Sequence, residues 1–282
     1  MNSTDFVIEH GAYGPRMVVT GAWTDGHAKH MRQQGIEDLY LNYARGWKGT
    51  NLTFLDDLEW LKAFTILDWN IMDVSPVHNL KELRMLEVST YCDTELRFES
   101  FPSLVECKIS WREKARSLFS AKSIKRLFVS DYTSKDADLF GQMSQLVSLS
   151  IAGGSLQSVV GLRPLRELTF LGLYNLTRLK SLQGVESLTI LEALEVNDCP
   201  ALSEIAALAP LTKLRRVELN DDGKIASIQP IGKLLELREF YFFGTTEVQD
   251  GDLSPLAVLP HLEKTSFQNR PHYNRRREEL VH

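Results

Sequence analysis

Apolar residues recur along most of this chain in repeats of 20 to 25 residues. Each repeat begins with an aliphatic residue and has further apolar residues at its fourth and sixth places, as in Leu83, Leu86 and Val88. Eleven repeats follow this pattern, and they begin at Ile36, Leu61, Leu83, Leu104, Ile124, Leu146, Leu168, Leu191, Leu214, Leu237 and Leu262. A period in the low twenties indicates a solenoid, in which a repeat can bury its apolar residues only against its neighbours.

The spacing within a repeat predicts two kinds of segment. The fourth and sixth places are two residues apart, which is the strand period, so their side chains point inward while the third, fifth and seventh places point outward. After the strand the apolar spacing becomes three, as at Leu202, Ile205 and Leu208. That spacing favours 3₁₀ or extended turns over a sustained α-helix. The sequence therefore predicts an α/β solenoid with a parallel sheet on one side and mostly 3₁₀ or irregular segments on the other.

This register resembles the leucine-rich repeat family. The return segments with three-residue spacing are most similar to its internalin-like class, for example 74–80 before Leu83 and 253–256 before Leu262. The resemblance covers about residues 36–267 and implies a right-handed superhelix whose parallel sheet lines the concave side.

The ninth place departs from the family pattern, because among the eleven repeats only Cys199 is of the usual Asn or Cys type. A stacked row of Asn side chains therefore cannot satisfy the loop backbone, which needs other partners. Four residues one or two places earlier are predicted to substitute locally: Asn197, Asp198, Asn220 and Asp221. The regularity of the repeats between Tyr91 and Ile124 stays open.

The two ends of the chain are expected to differ from the repeats. Residues 1–35 are predicted to form an N-terminal cap, a β-hairpin plus a short helix that begins near Thr24 and stops at Gly35. His27 and His30 on that helix are interpreted as solvated, since no carboxylate or cysteine at ligand spacing accompanies them. Residues 36–269 form the repeats, and residues 270–282 are predicted to be a mobile charged tail.

Composition restricts the classes of partner. Lys and Arg total 32 against 37 Asp and Glu, a net charge of -5, which argues against non-specific nucleic-acid binding. No apolar run approaches the roughly 20 residues that span a bilayer, and the first nine residues lack the features of a secretory signal. Three scattered cysteines are too few for a disulfide framework or a metal site. We expect a cytoplasmic, monomeric protein with reduced thiols, no cofactor, no metal, no nucleic-acid partner and no membrane contact.

Aromatic and charged residues at outward places form the candidate site. Burial in the core cannot explain large apolar residues at these places, so they indicate a contact surface. The predicted partner-binding residues are Phe128, Phe170, Tyr174, Glu195, Arg216, Glu218, Glu239, Tyr241 and Phe243. Trp111 and Tyr132 are expected nearby, with Arg216 as the lone cation among the acids. The alternative interpretation is that the rings only cover the sheet and the carboxylates only keep it soluble.

The predicted function is a non-catalytic protein–protein interaction module whose concave face binds a partner with a basic surface. The sequence has no Gly-rich phosphate loop, metal-ligand cluster or Ser/His/acid combination of an enzyme. Its Cys92-Asp93-Thr94 stretch is similar to a thiol beside an acid in some bacterial leucine-rich-repeat ubiquitin ligases, but those carry a separate catalytic domain. The alternatives are a bacterial immunity or antitoxin-type inhibitor of a basic toxin, a peptide or carbohydrate binder, or an enzyme accessory subunit.

Overall fold

The computed structural model describes residues 5–280, and the chain divides into two compact units after Leu127. Residues 1–4 of the predicted cap and 281–282 of the predicted tail lie outside the described residues. The strands of the first unit are β1 (Phe6–Gly11), β2 (Gly14–Val19), β3 (Asp38–Asn42), β4 (Ala63–Leu67), β5 (Met85–Ser89) and β6 (Glu106–Ser110). The division falls within β7 (Arg126–Ser130). The strands of the second unit are β8 (Ser148–Ala152), β9 (Phe170–Tyr174), β10 (Ala193–Asn197), β11 (Arg216–Asn220), β12 (Lys224–Ile225), β13 (Glu239–Phe242), β14 (Glu247–Val248) and β15 (Lys264–Phe267).

Helical segments are short and occupy mainly the return parts of the repeats. The two α-helices are α1 (Asp25–Gln34) and α2 (Ser254–Ala257). The 3₁₀ helices are Tyr43–Arg45, Thr53–Asp57, Ser75–Asn79, Phe98–Ser100, Glu113–Ser120, Phe140–Gln142, Val160–Leu162, Val185–Ser187, Ala206–Leu208, Ile231–Lys233 and Arg277–Glu279. The predicted 3₁₀ return segments are confirmed, with β12 and β14 added as a small parallel pair.

The strands follow the repeat register closely. From β3 to β11 each long strand spans the third to the seventh place of its repeat, as Ala193–Asn197 does in the repeat that begins at Leu191. The fourth and sixth places, Leu194 and Val196, are fully buried, whereas Glu195 between them is only half-buried. The predicted alternation of inward and outward places is therefore confirmed here, whereas in the first unit several outward places, such as Ala63 and Thr65, are buried as well.

Parallel pairing places equivalent residues of successive repeats side by side. In the first unit β2 to β6 pair in parallel in chain order. In the second unit β8, β9, β10, β11, β13 and β15 do the same. Leu171, Leu194 and Val217 thus lie opposite one another, all fully buried. The outward side chains lie in equally regular rows.

The N-terminal segment pairs with the first repeat through its second strand. β1 pairs antiparallel with β2, and β2 pairs in parallel with β3. Helix α1 begins after Thr24 and ends at Gly35, which has φ 63°. The prediction of a solvated His27 is wrong, because His27 is buried, and its Nδ1 accepts a hydrogen bond from the Thr24 N–H at 3.0 Å. Its ring contacts the rings of Phe6 and Trp23, and burial lowers the pKa of the imidazole.

Two residues of the predicted tail, Tyr273 and Asn274, contact the last repeats. The Tyr273 hydroxyl accepts a hydrogen bond from the Val248 N–H at 3.0 Å, and its ring contacts Phe267. The Asn274 side chain accepts a hydrogen bond from the Leu253 N–H at 2.8 Å. These contacts cover apolar residues that the last repeat leaves without a neighbour.

A left-handed residue follows most strands of the second unit. It occupies the eighth place of six consecutive repeats, with φ between 53° and 66°, at Asp131, Gly153, Asn175, Asp198, Asp221 and Gly244. Asn, Asp and Gly are the residues that tolerate this conformation best. In the first five, the N–H donates to the seventh-place carbonyl of the next repeat, as from Asp198 to Asn220 at 2.9 Å. The parallel pairing thereby extends one residue past each strand.

The predicted local substitutes for the missing Asn row are confirmed for three residues. The Asn197 side chain accepts a hydrogen bond from the Asn220 N–H at 3.3 Å. The Asn220 side chain in turn accepts one from the Phe243 N–H at 3.0 Å. Asp221 accepts a hydrogen bond from the Thr245 N–H at 3.2 Å. Each links one repeat to the next, which is the task of the ninth-place row in the family.

Asp222 at the ninth place is a buried carboxyl group. Its Oδ1 accepts a hydrogen bond from the Cys199 N–H at 2.8 Å, and its own N–H donates to the Thr246 hydroxyl at 2.9 Å. Burial, together with the nearby carboxylates of Asp198 and Asp221, raises the pKa of Asp222 to about 8. The group is therefore mostly protonated at neutral pH, and it then carries no charge, like an Asn side chain.

Asp222→Asn is expected to stabilise the protein increasingly as the pH rises. An unfolded Asp ionises near pH ~4, whereas the folded Asp222 holds its proton to about pH 8. The wild type should lose stability from this group across that interval, and the Asn variant should not. Urea unfolding between pH 4 and 9 should show a gap that widens to the order of a few kcal/mol. Glu167→Gln, at an exposed carboxylate of the same unit that does not act on Asp222, is the matched control. A gap that stays constant with pH would contradict the assignment.

Leu194→Ala should lower the free energy of unfolding by about 2–5 kcal/mol, because it leaves a cavity between two repeats. The control is Ile190→Ala at the end of the preceding repeat, where the side chain is 41% exposed and little should change. Chemical denaturation measures both. Equal stability of the two variants would show that Leu194 does not contribute to the packing between repeats.

Candidate functional site

The candidate site lies on the outward face of the second unit, defined by the third, fifth and seventh places of its long strands. Strand pairing places these residues in rows that cross the strands. The third-place row contains Ser148, Phe170, Ala193, Arg216, Glu239 and Lys264. The fifth-place row contains Ser150, Gly172, Glu195, Glu218, Tyr241 and Ser266. Most of the predicted site residues thus share one face.

Tyr174 is held in place by two neighbours. Its ring lies over Gly172, where a Cβ atom would come within 2.5 Å of Tyr174 Cε2 and Oη. Its hydroxyl donates a hydrogen bond to Glu195 Oε2 on the next strand at 2.6 Å. Burial and the Glu195 carboxylate raise the pKa of the Tyr174 phenol above its ordinary value, so it stays a donor. Phe170, four residues earlier at the start of β9, is half-buried on the same face.

A charge network occupies the middle of the face. Arg216 donates to Glu218 Oε1 through Nε at 3.1 Å and through Nη2, and its Nη1 lies 3.5 Å from Glu239 Oε2. The Arg216 Cζ lies 5.8 Å from the centre of the Tyr241 ring. Lys264 Nζ lies 2.8 Å from Glu239 Oε1. The face therefore has a second cation, Lys264, whereas the sequence predicted Arg216 as the lone one.

The remaining predicted residues lie at the two ends of the second unit. Phe243, at the seventh place after β13, is 42% exposed, and Phe128 is half-buried at the fifth place of β7. Ring contacts within residues 5–280 do not join Phe128 to Phe170 or Tyr174. The two aromatic groups of the site are therefore Phe170 with Tyr174, and Tyr241 with Phe243.

The expected place of Tyr132 on this surface is wrong. Tyr132 is fully buried, with its ring centre 4.9 Å from that of Phe140. It stands at a ninth place, beyond the strand, where the period of two no longer decides which way a side chain points. In the first unit, Trp111 is half-exposed, and its ring lies 5.4 Å from that of Phe119.

The sequence analysis missed an exposed aromatic row on the first unit, formed by Tyr43, Trp69 and Tyr91. These side chains are 51%, 37% and 77% exposed. The ring centres of Tyr43 and Trp69 are 6.3 Å apart, and those of Trp69 and Tyr91 are stacked at 4.4 Å. The signal was present, because Trp69 and Tyr91 occupy ninth places that the family fills with Asn or Cys. We call this set the edge aromatic row.

Within residues 5–280, the His, Cys, Asp and Glu side chains form no group of three able to hold a metal ion. None of the helices in that range combines the length and apolar character needed to cross a bilayer. The cysteines Cys92, Cys107 and Cys199 are all buried and free.

Solved structures of internalins show the same fold. An internalin of Listeria monocytogenes, InlF, matches with a TM-score of 0.60 at 20% identity, over 83% of this chain and 74% of that one. Internalin C2 (InlC2) of the same organism matches with a TM-score of 0.53 at 19% identity, over 76% of this chain and 84% of that one. The functional domain of InlJ, also from L. monocytogenes and described as including a cysteine ladder, matches with a TM-score of 0.52 at 16% identity, over 81% of this chain and 63% of that one.

These similarities establish the architecture. The chain matches no protein-family model and no curated protein sequence. Its structure is an internalin-like leucine-rich-repeat solenoid with an open, mostly parallel sheet, as the repeat register predicted.

Gly172→Ala should displace the Tyr174 ring and break its hydrogen bond to Glu195. Tyr174→Phe should lower the free energy of unfolding by about 1 kcal/mol in the wild type and by almost nothing in the Gly172→Ala background. A double-mutant cycle by chemical denaturation measures this coupling. Tyr241→Phe, made in the same two backgrounds, should be additive with Gly172→Ala. An equal loss for Tyr174→Phe in both backgrounds would show that the ring does not depend on Gly172.

Proposed function

We propose that this chain is a non-catalytic interaction module that binds a partner protein on the outward face of its second unit. In the leucine-rich-repeat family this face is the concave one. The observation that supports the proposal is a pair of aromatic groups, Phe170 with Tyr174 and Tyr241 with Phe243, on a face that the core does not use. Aromatic residues beside charged groups are typical of the energetic centres of protein interfaces.

The arrangement of Tyr174 supports the same proposal. Gly172 leaves room for its ring, and Glu195 fixes its hydroxyl. A side chain already held in one position loses little conformational freedom when a partner covers it, so more of the contact energy appears as affinity. A ring that only shielded the sheet would not need this support.

The charge of the face supports a partner with a basic surface, although fewer of its carboxylates are unpaired than the sequence suggested. The face has three carboxylates, Glu195, Glu218 and Glu239, against two cations, and Arg216 and Lys264 pair with the last two carboxylates. Asp198 and Asp221 add exposed carboxylates at its rim. The excess negative charge would speed encounter with a basic surface and restrict the choice of partner. The monomeric state, the cytoplasmic location and the absence of nucleic-acid partners stay predictions.

Affinity purification from the cells that produce the protein tests the face. The full chain is immobilised as wild type, as Tyr174→Ala/Tyr241→Ala, and as Tyr43→Ala/Tyr91→Ala on the edge aromatic row. We expect the first double variant to recover the wild-type partner more than tenfold less efficiently, since two interface anchors contribute over ~1 kcal/mol each. The edge variant should recover it normally.

Equal recovery by all three proteins would contradict the proposed face. Loss of the partner only with Tyr43→Ala/Tyr91→Ala would instead place the interaction on the edge aromatic row. Circular dichroism and thermal unfolding of both double variants check that the recovered fraction reports binding and not unfolding.

A further inference from the structure

Two carboxylates lie directly opposite each other in the middle of the face. Glu195 on β10 is paired in register with Glu218 on β11. Like charges in this arrangement repel and destabilise a sheet. Neither side chain belongs to the inward set that builds the core, so folding gives no reason to keep both.

The ion pairs of the face leave one of its carboxylates without a cation. Arg216 pairs with Glu218, and Glu239 is shared between Arg216 and Lys264. Within residues 5–280, Glu195 has no ion-pair partner within 4.0 Å, and its side-chain hydrogen bond is to the neutral Tyr174 hydroxyl through Oε2. The excess negative charge of the face is therefore concentrated at Glu195.

The neighbours of Glu195 leave space for a side chain from outside. Ala193, two residues earlier on the same strand, stands between Phe170 and Arg216 in the third-place row. Because the Ala193 side chain is small, it leaves a depression in the surface beside the aromatic group of Phe170 and Tyr174. The Arg216 guanidinium forms its ion pairs with Glu218 and Glu239 and lies near the Tyr241 ring; its charge also acts on Glu195, but without an ion pair between them.

We propose that the partner places one lysine or arginine side chain over Ala193, with its aliphatic stem on the Phe170 and Tyr174 rings and its charged end on Glu195. This inference rests on the proposed function and specifies what the partner contributes to it. Long basic side chains combine an apolar stem with a charged end, and thus match a site with an aromatic wall and one carboxylate. A cation at Glu195 also relieves the repulsion between Glu195 and Glu218.

The second aromatic group sets the spacing of the partner segment. Tyr241 lies two strand steps from Glu195, through β11 to β13, which is about 10 Å at ~4.8 Å per step. A partner segment in the polyproline II conformation, with a rise of about 3.1 Å per residue, covers this distance in about three residues and returns its side chains to the same side. The partner is therefore expected to have an apolar side chain about three residues from its basic one.

A displayed library of random 12-residue peptides, selected on the immobilised full chain, supplies the probe. We expect selected peptides to share one basic residue, with an apolar residue about three positions away. For a synthetic peptide from this set, Glu195→Gln should weaken binding about threefold to tenfold. The Gln side chain keeps an acceptor for Tyr174, so the ring should stay in place.

Three comparisons isolate the charge. The matched control is Glu204→Gln, which removes an exposed carboxylate on a return segment of the same unit and should leave affinity unchanged. A peptide in which the basic residue is replaced by Gln should bind wild type and Glu195→Gln equally. A peptide with Glu at that position should bind Glu195→Lys better than it binds wild type.

The outcomes separate this inference from the proposed function. Peptides that lose binding to Tyr174→Ala/Tyr241→Ala but bind Glu195→Gln as they bind wild type would overturn the inference and leave the proposed face intact. Peptides that bind the Tyr double variant as well as the wild type would overturn both. A library that yields no peptide sensitive to the Tyr double variant would also count against both.

Discussion

The stacking of inward aliphatic side chains against the next repeat is the interaction on which the whole structure depends. Leu171, Leu194 and Val217 illustrate it, since they lie opposite one another on three strands and are fully buried. Each such residue contributes about 1.5–3 kcal/mol relative to its exposed state. A slip of one residue would turn the entire inward set outward, so the register is strongly specified. The same register fixes which residues face outward, and it therefore positions Glu195 opposite Glu218 without any contribution from these residues to folding.

The loops that follow the strands satisfy their backbone groups in several ways, where the family uses one repeated residue. Asn197 and Asn220, at the seventh place, accept hydrogen bonds from the next repeat. Asp222, buried at the ninth place, accepts one from the preceding repeat. Left-handed residues such as Asp198 and Asp221 extend the pairing beyond the strands. These two also place exposed carboxylates on the rim of the site. Backbone requirements in the loops and the charge of the binding face are thus met partly by the same residues.

The sequence predicted the elements that depend on period and missed those that depend on side-chain conformation. Strand places and inward burial follow from a spacing of two, so they agree with the structure throughout the repeats. The hydrogen bond from Tyr174 to Glu195 could not be derived in this way, because it needs the space above Gly172 and one particular rotamer. Tyr132 and His27 were misplaced because a turn and a helical cap do not follow the strand period. Lys264 could have been assigned to the face, since it occupies the third place of the last repeat.

The ion pairs of the face change the expected balance between affinity and specificity. Arg216 and Lys264 compensate the charges of Glu218 and Glu239. Two of the three carboxylates of the face therefore cannot attract basic surfaces in general. Affinity must then come mainly from burial of the two aromatic groups, which is insensitive to the partner's charge. Discrimination is left to Glu195, which a partner without a matching cation would bury unpaired, at a cost in free energy. Because the inward residues supply most of the stability of the fold, changes at these outward places can alter the partner without altering the architecture.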